Sequence, residues 1–382
     1  MSLESIPVMI PYLGIEEQEA AAAAIASGWI AQGPRVAEFE DRFAAEVGSQ
    51  FAVAVSSCTT GLHLALHVLG IGAGDEVVVP SLSFIATANS VRYVGAEPRF
   101  ADVDPITQNL TVETIEAVAT PATRAVILVH QGGMPADVAA VATWCRDHGV
   151  ELVEDAACAI GSTYRGRLVG SGANLAVFSF HPRKILTTGE GGMIVTDDAA
   201  VAQRLRRLRE HGMSVSAADR HRSGGAPVKE QYLEVGFNYR MTDIQAAVGL
   251  VQLGRLPGVI ARRRELAARY SAGLVGLPGV RTPVDPDWGT TNYQSYCVLI
   301  DAEPGREELM ARLAATGIST RRGIMAAHLE PPYATPPVSL PVTEHLTGNT
   351  IILPLYHALT VQQVDRVVDE VRSVLAPIGA SS

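Results

Sequence analysis

The stretch Phe178-Ser179-Phe180-His181-Pro182-Arg183-Lys184-Ile185-Leu186-Thr187-Thr188-Gly189-Glu190-Gly191-Gly192 carries one of only two lysines in a chain of 382 residues. Residues 175–180 are apolar, partly β-branched or aromatic, and residues 193–195 repeat that character. The pattern predicts two buried strands joined by a polar, glycine-rich turn. Gly189, Gly191 and Gly192 permit positive φ and a close approach of backbone to a ligand. Lys184 therefore projects from a loop held between strands, where a rigid scaffold tends to carry its reactive groups. The other lysine is Lys229, against 28 arginines. Arginine stays protonated, whereas a lysine that is desolvated or set beside another cation can lose its proton and attack a carbonyl. A bias against lysine would also leave two at random; the surroundings of Lys184 favour the chemical reading.

Outward from this motif, strand-like runs at 51–55, 76–79, 125–129 and 150–153 alternate with helical patterns at 60–69, 85–94 and 138–148. Such alternation predicts an α/β fold, a large three-layer α/β/α domain over residues 1–256 with a mostly parallel sheet. Ligands in such sheets bind beyond the carboxyl ends of the strands. Three groups fall there: Ser56-Ser57-Cys58-Thr59, Asp155, and Ser179 through Lys184. After Leu256-Pro257 the chain predicts a helix at 259–274, a strand at 293–300, a helix at 306–315, a strand at 351–353 and a closing helix at 361–375. These make a smaller C-terminal α/β domain, 257–382. Residues 214–225 lack periodicity and read as a mobile loop.

A formal charge of −10 argues against a general nucleic-acid or membrane-surface binder. An anionic ligand would need local arginines and backbone N–H groups. The four cysteines, Cys58, Cys145, Cys158 and Cys297, include no Cys-x-x-Cys pair for zinc or an iron–sulfur cluster, so no metal is expected. A reduced, cytoplasmic protein is the simple reading. The N-terminus has no signal-peptide pattern, and no apolar run approaches the ~18 residues that span a bilayer.

Each site element has a plain alternative. Asp155 alone reads as a helix cap or a metal ligand. Beside a reactive lysine it also suits the ring nitrogen of pyridoxal phosphate, an electron sink only while that nitrogen stays protonated. Ser57, Cys58 and Thr59 precede a helix and either cap it or cradle a phosphate at its positive end. Phe84, within residues 80–89, is either core or a ring that stacks on a cofactor.

In these motifs the chain resembles the DegT/StrS aminotransferases, fold-type I pyridoxal-phosphate enzymes that aminate nucleotide-linked keto-sugars and related cyclic ketones. The resemblance runs from Pro11-Tyr12-Leu13-Gly14 to Leu353-Pro354-Leu355. It is strongest in Ser27-Gly28-Trp29, Gln32-Gly33-Pro34, residues 80–89, Glu154-Asp155-Ala156-Ala157, residues 179–192 and Asn238-Tyr239-Arg240-Met241-Thr242-Asp243. It implies that Lys184 forms a Schiff base with the cofactor, Asp155 holds the ring nitrogen and Phe84 stacks on the ring. Thr59, Ser57, Ser179 and the backbone near Cys58 would bind the phosphate, joined by Asn238 from a neighbouring subunit of a homodimer. Cys58 stands where the family usually has glycine, and Cys158 where it has histidine or glutamine. Residues 321–328 replace a Tyr/Pro-rich stretch that shapes the substrate pocket, although His328 keeps its place. Arg240, Arg321, Arg322 and His328 are the expected substrate residues.

The implied reaction is ping-pong transamination from glutamate or glutamine to a keto-sugar acceptor. The alternatives are a dehydratase on the same fold, which would replace the lysine by histidine or add an iron–sulfur cluster, and a cofactor-binding regulator without turnover.

Overall fold

The computed structural model describes residues 5–215 and 229–375, so most of the expected 214–225 loop lies outside the described residues. The strands, in chain order, are β1 (Phe51–Val55), β2 (Glu76–Pro80), β3 (Glu97–Ala101), β4 (Thr123–Val129), β5 (Glu151–Asp155), β6 (Thr163–Tyr164), β7 (Arg167–Leu168), β8 (Ala176–Ser179) and β9 (Gly192–Thr196). Seven of them form one sheet in the order β1-β9-β8-β5-β4-β2-β3. Neighbours pair in parallel from β3 across to β8; β9 runs antiparallel to both β8 and β1.

Side chains alternate across each strand, so a sheet covered on both sides needs apolar residues at successive positions. Val53, Val55, Val77, Val79 and Val177 face one core, under helices Cys58–Val68, Ala86–Tyr93 and Ala199–Leu208. Ala52, Ala54, Phe178, Met193 and Val195 face the opposite side, against helix Pro34–Val47. There Phe39, Phe43, Phe178 and Phe180 pack edge-on or tilted with centroids 5.1–6.0 Å apart.

A second, four-stranded sheet contains β10 (Val280–Arg281), β12 (Tyr296–Ile300), β14 (Thr350–Leu353) and β13 (Arg321–Arg322), in that order and all antiparallel. Between the sheets, β11 (Gly289–Thr290) pairs with β6, tying the second half of the chain to the first.

The expected division at 256–257 falls inside one continuous helix, Asp243–Leu274. Pro257 removes an interior helical hydrogen bond, yet the helix runs through it. Burial outweighs that cost: Ala246, Leu250, Leu253, Leu256 and Val259 pack in the core of the main sheet. Leu266, Ala267, Tyr270 and Leu274 pack in that of the second. This helix is also long and apolar enough to cross a bilayer by length and composition. Its apolar residues are instead spent on two protein cores.

Thr242 caps this helix, accepting from Gln245 N–H at 3.2 Å, and its first turn carries Asp243. The fully buried Asp243 carboxylate accepts N–H bonds from Gly33 and Val36 at 2.7 and 3.0 Å and from Arg35 at 3.0 Å, capping helix Pro34–Val47. Asp243→Ala strands those donors and is expected to cost about 2 kcal/mol, the upper range for a cap. The melting temperature should fall by several degrees, with part recovered in Asp243→Asn; an unchanged melt would contradict the role.

Candidate active site

The carboxyl ends of β4, β5 and β8 and the start of helix Cys58–Val68 open into a cleft of about 660 Å³. Its far wall comes from the second sheet, including Arg321, Ile352 and Leu353. Ser57, Cys58, Thr59, Phe84, Asp155, Cys158, Ser179 and Lys184 all line it, so residues up to 127 positions apart meet where the sheet topology expects a ligand.

Lys184 is held from both sides. The Gln294 side chain accepts from Ile185 N–H at 3.0 Å and donates to the Arg183 carbonyl at 2.6 Å. Gln294 N–H in turn donates to Asn292 Oδ1 at 2.8 Å, and Asn292 Nδ2 donates to the carbonyls of Cys158 and Ile160, both at 2.8 Å. Between them Tyr293 sits at φ +52°, a left-handed conformation that costs a non-glycine residue about 1–3 kcal/mol. Buried Arg263 holds it there by donating to the Tyr293 and Gln294 carbonyls at 2.8 and 2.7 Å. One short segment therefore positions both the lysine and the Cys158 turn.

The Lys184 amine donates to Cys158 Sγ at 3.0 Å. Burial favours its neutral form, but Cys158, Cys58 and Asp155 together move its pKa upward. Desolvation, expected from the sequence to free the amine, is opposed by the chain's own sulfurs and carboxylate. Asp155 accepts from Thr87 Oγ1 at 3.0 Å and from Ala157 N–H at 3.1 Å. Burial raises its pKa, against those two hydrogen bonds and the charges of Lys184 and His130. A buried carboxyl shifted that way gains from a cation brought to it, and a protonated pyridine nitrogen is one.

At the other end, Ser57 caps helix Cys58–Val68, accepting from Thr60 N–H at 3.2 Å. A Cβ on Gly192 would stand 2.7 Å from Cys58 N, so only glycine lets β9 pass beneath this helix end. Strand and helix end are therefore in tight backbone contact at Gly192. Burial, then the Asp155 charge and Cys158, push the Cys58 thiol well above its usual range, with Lys184 opposing. Gly189 takes φ +83° and closes the lysine loop. Phe84 is 66% exposed, an aromatic face left bare in the cleft. Amine, carboxyl, ring face and helix N-terminus suit pyridoxal phosphate; Lys184, Asp155, Phe84 and the Ser57–Thr59 turn would hold it.

The expected substrate residues divide. Arg321 lines the cleft, and its guanidinium has no hydrogen bond or ion pair among the described residues. Arg322, one position along the strand, points away and pairs with Glu307 at 3.6 Å. Arg240 pairs with buried Glu210 at 3.8 Å, outside the cleft. His328 is buried 2.6 Å from Ser81 Oγ and 3.3 Å from Glu344, a packing role away from the cleft lining. Asn238 is exposed and lies outside its own chain's cleft. The sequence reading had not singled out Thr87, Asn292 and Gln294. Thr87 lay within the 80–89 motif, but nothing local marked the other two.

Residues 11–372 match the DegT/DnrJ/EryC1/StrS aminotransferase family. The spore coat polysaccharide biosynthesis protein SpsC of Bacillus subtilis (strain 168) is 39% identical over 381 residues, 97% of each chain. DesV of S. venezuelae, solved with a ketimine intermediate, is 36% identical with a TM-score of 0.89, covering 98% of this chain and 99% of its own. DesI, solved in the presence of its TDP-sugar product, is 35% identical with a TM-score of 0.87, covering 97% and 93%. The chain belongs to the DegT/DnrJ/EryC1/StrS family and is a pyridoxal-phosphate-dependent aminotransferase.

Proposed function

We propose that this enzyme moves the amino group of glutamate or glutamine onto a nucleotide-linked keto-sugar or a related cyclic ketone, in a ping-pong cycle. The observation that carries the reading is Lys184 beside Asp155 in a cleft whose opposite wall offers Arg321, a guanidinium with no ion pair among the described residues. Pyridoxal phosphate, when bound, supplies an electrophilic carbon and a ring that accepts electrons. Asp155 keeps the ring nitrogen's proton in place, and Thr87 and the Ala157 N–H orient the carboxyl. Phe84 covers the ring, and the Ser57–Thr59 turn with Ser179 takes the phosphate. Lys184 Nζ carries the proton that leaves the donor's α-carbon, its swing limited by Gln294 on either side of its peptide.

A nucleotide diphosphate approaching a chain of charge −10 meets long-range repulsion, which a local guanidinium relieves. The TDP-sugar product of DesI supports the same acceptor class. The four free cysteines fit a cytoplasmic setting, and residues 257–382 would form a smaller domain beyond the mid-helix boundary. The functional unit in this reading is a homodimer in which Asn238 serves the neighbour's cofactor phosphate.

Glutamate alone should release one keto acid per subunit, because the first half-reaction needs no acceptor. Arg321→Ala should leave that half-reaction unchanged and raise the acceptor's KM about tenfold, the ~1.4 kcal/mol of a charge-assisted hydrogen bond. Arg322→Ala should change neither. Equal losses in both half-reactions for Arg321→Ala would make the residue structural.

The shared site is tested with two inactive variants, Lys184→Ala and Asn238→Trp, mixed under subunit exchange. Activity should return, because one site of the mixed dimer has both residues intact. A mixture that exchanges by mass yet stays inactive would confine Asn238 to its own chain.

A further inference from the structure

The cleft gathers sulfur that the transamination does not use. Cys58 and Cys158 line it, and Cys297 adjoins Cys158 and Arg321; only Cys145, in helix Val138–His148, lies elsewhere. Sγ of Cys158 is already in hydrogen-bond contact with Lys184 Nζ at 3.0 Å. The Asn292 bonds behind Cys158 and the Gln294 bonds beside Lys184 hold both backbones, so neither has to move for the atoms to react.

We propose that Cys158 and Lys184 form a reversible redox modification site, in which hydrogen peroxide couples the two side chains through a sulfur–nitrogen bond. The Cys158 sulfur attacks one peroxide oxygen; an S–O bond forms, the O–O bond breaks, and the departing hydroxide leaves as water with the thiol's proton. The Lys184 amine then attacks sulfur; the S–N bond forms, the S–O bond breaks, and a second water leaves with the amine's proton. Sulfur is oxidised, peroxide is reduced, and the chain loses two hydrogen atoms overall.

The electrostatics support the second step. After burial, the largest influences on Lys184 are the charge and hydrogen bond of Cys158, both of which favour the ammonium. Burial, the largest influence on Lys184, favours the neutral amine that this step needs, against the remaining pull of Cys58 and Asp155. Cys58 is a poor competitor, since burial keeps its thiol protonated. A lysine bonded to cofactor has no free amine to give. Resting on Lys184 as the attachment residue, the coupling would therefore form when the cofactor is absent or carries the amino group, and would block reattachment until a thiol reductant breaks it.

The full-length protein, stripped of cofactor or loaded with pyridoxal phosphate, is treated with hydrogen peroxide, digested and mapped by mass spectrometry. A linked pair of peptides containing residues 158 and 184, with the mass of two lost hydrogens and released by dithiothreitol, is the expected product. It should vanish in Cys158→Ser and persist in Cys58→Ser and Cys297→Ser. A Cys58–Cys158 disulfide, sulfinic acid at Cys158 without linkage, or no product in the stripped protein would overturn the proposal. Protection by pyridoxal phosphate is a separate readout. Linkage without protection would uphold the coupling and remove Lys184 as the attachment residue.

Discussion

Everything at this site depends on residues 292–294, which cross from the second half of the chain to the lysine loop. Gln294 brackets Lys184, Asn292 anchors the Cys158 turn, and Arg263 from the long helix holds Tyr293 in a strained conformation between them. A primary amine on four flexible carbons reacts efficiently only when it is held in place, because positioning can remove a large part of the barrier. That fixation is supplied from a hundred residues away in sequence. The helix Asp243–Leu274 makes it possible by packing against both sheets at once.

Glycine sets the complementary limit on the phosphate side. The helix N-terminus can lie over the strand ends only because Gly192 presents no Cβ to Cys58 N, and Gly61 none to Val177. On the lysine side, the Cys158 thiol touches Lys184 directly and helps to raise its proton affinity.

Much of this was legible in the sequence wherever burial dictates pattern. Central strands with both faces covered read as apolar runs, and helices Val138–His148, Arg306–Ala315 and Val361–Leu375 match their expected limits. The edge strand β3, Glu-Pro-Arg-Phe-Ala, was passed over, since an edge carries charge and proline rather than a continuous apolar run. The reversal of β9 left no trace, because period and hydrophobicity do not encode direction. Lys184 and Asp155 stood out through residue type at strand ends, whereas Phe84 alone reads as core and gains its role only from the resemblance. Arg322 faces away from the cleft by strand alternation and Arg240 lies outside it, each beside a carboxylate. Gln294 was illegible for the plainest reason: its work is a contact, and contacts at that separation are made by the fold.

The account stands or falls on which amine binds the cofactor. Borohydride reduction of the protein loaded with pyridoxal phosphate, followed by peptide mapping, decides this cleanly, because Lys229, exposed and outside the cleft, is the only other lysine. The pyridoxyl group should be found on Lys184 alone; label on Lys229, or none on either lysine, would contradict it.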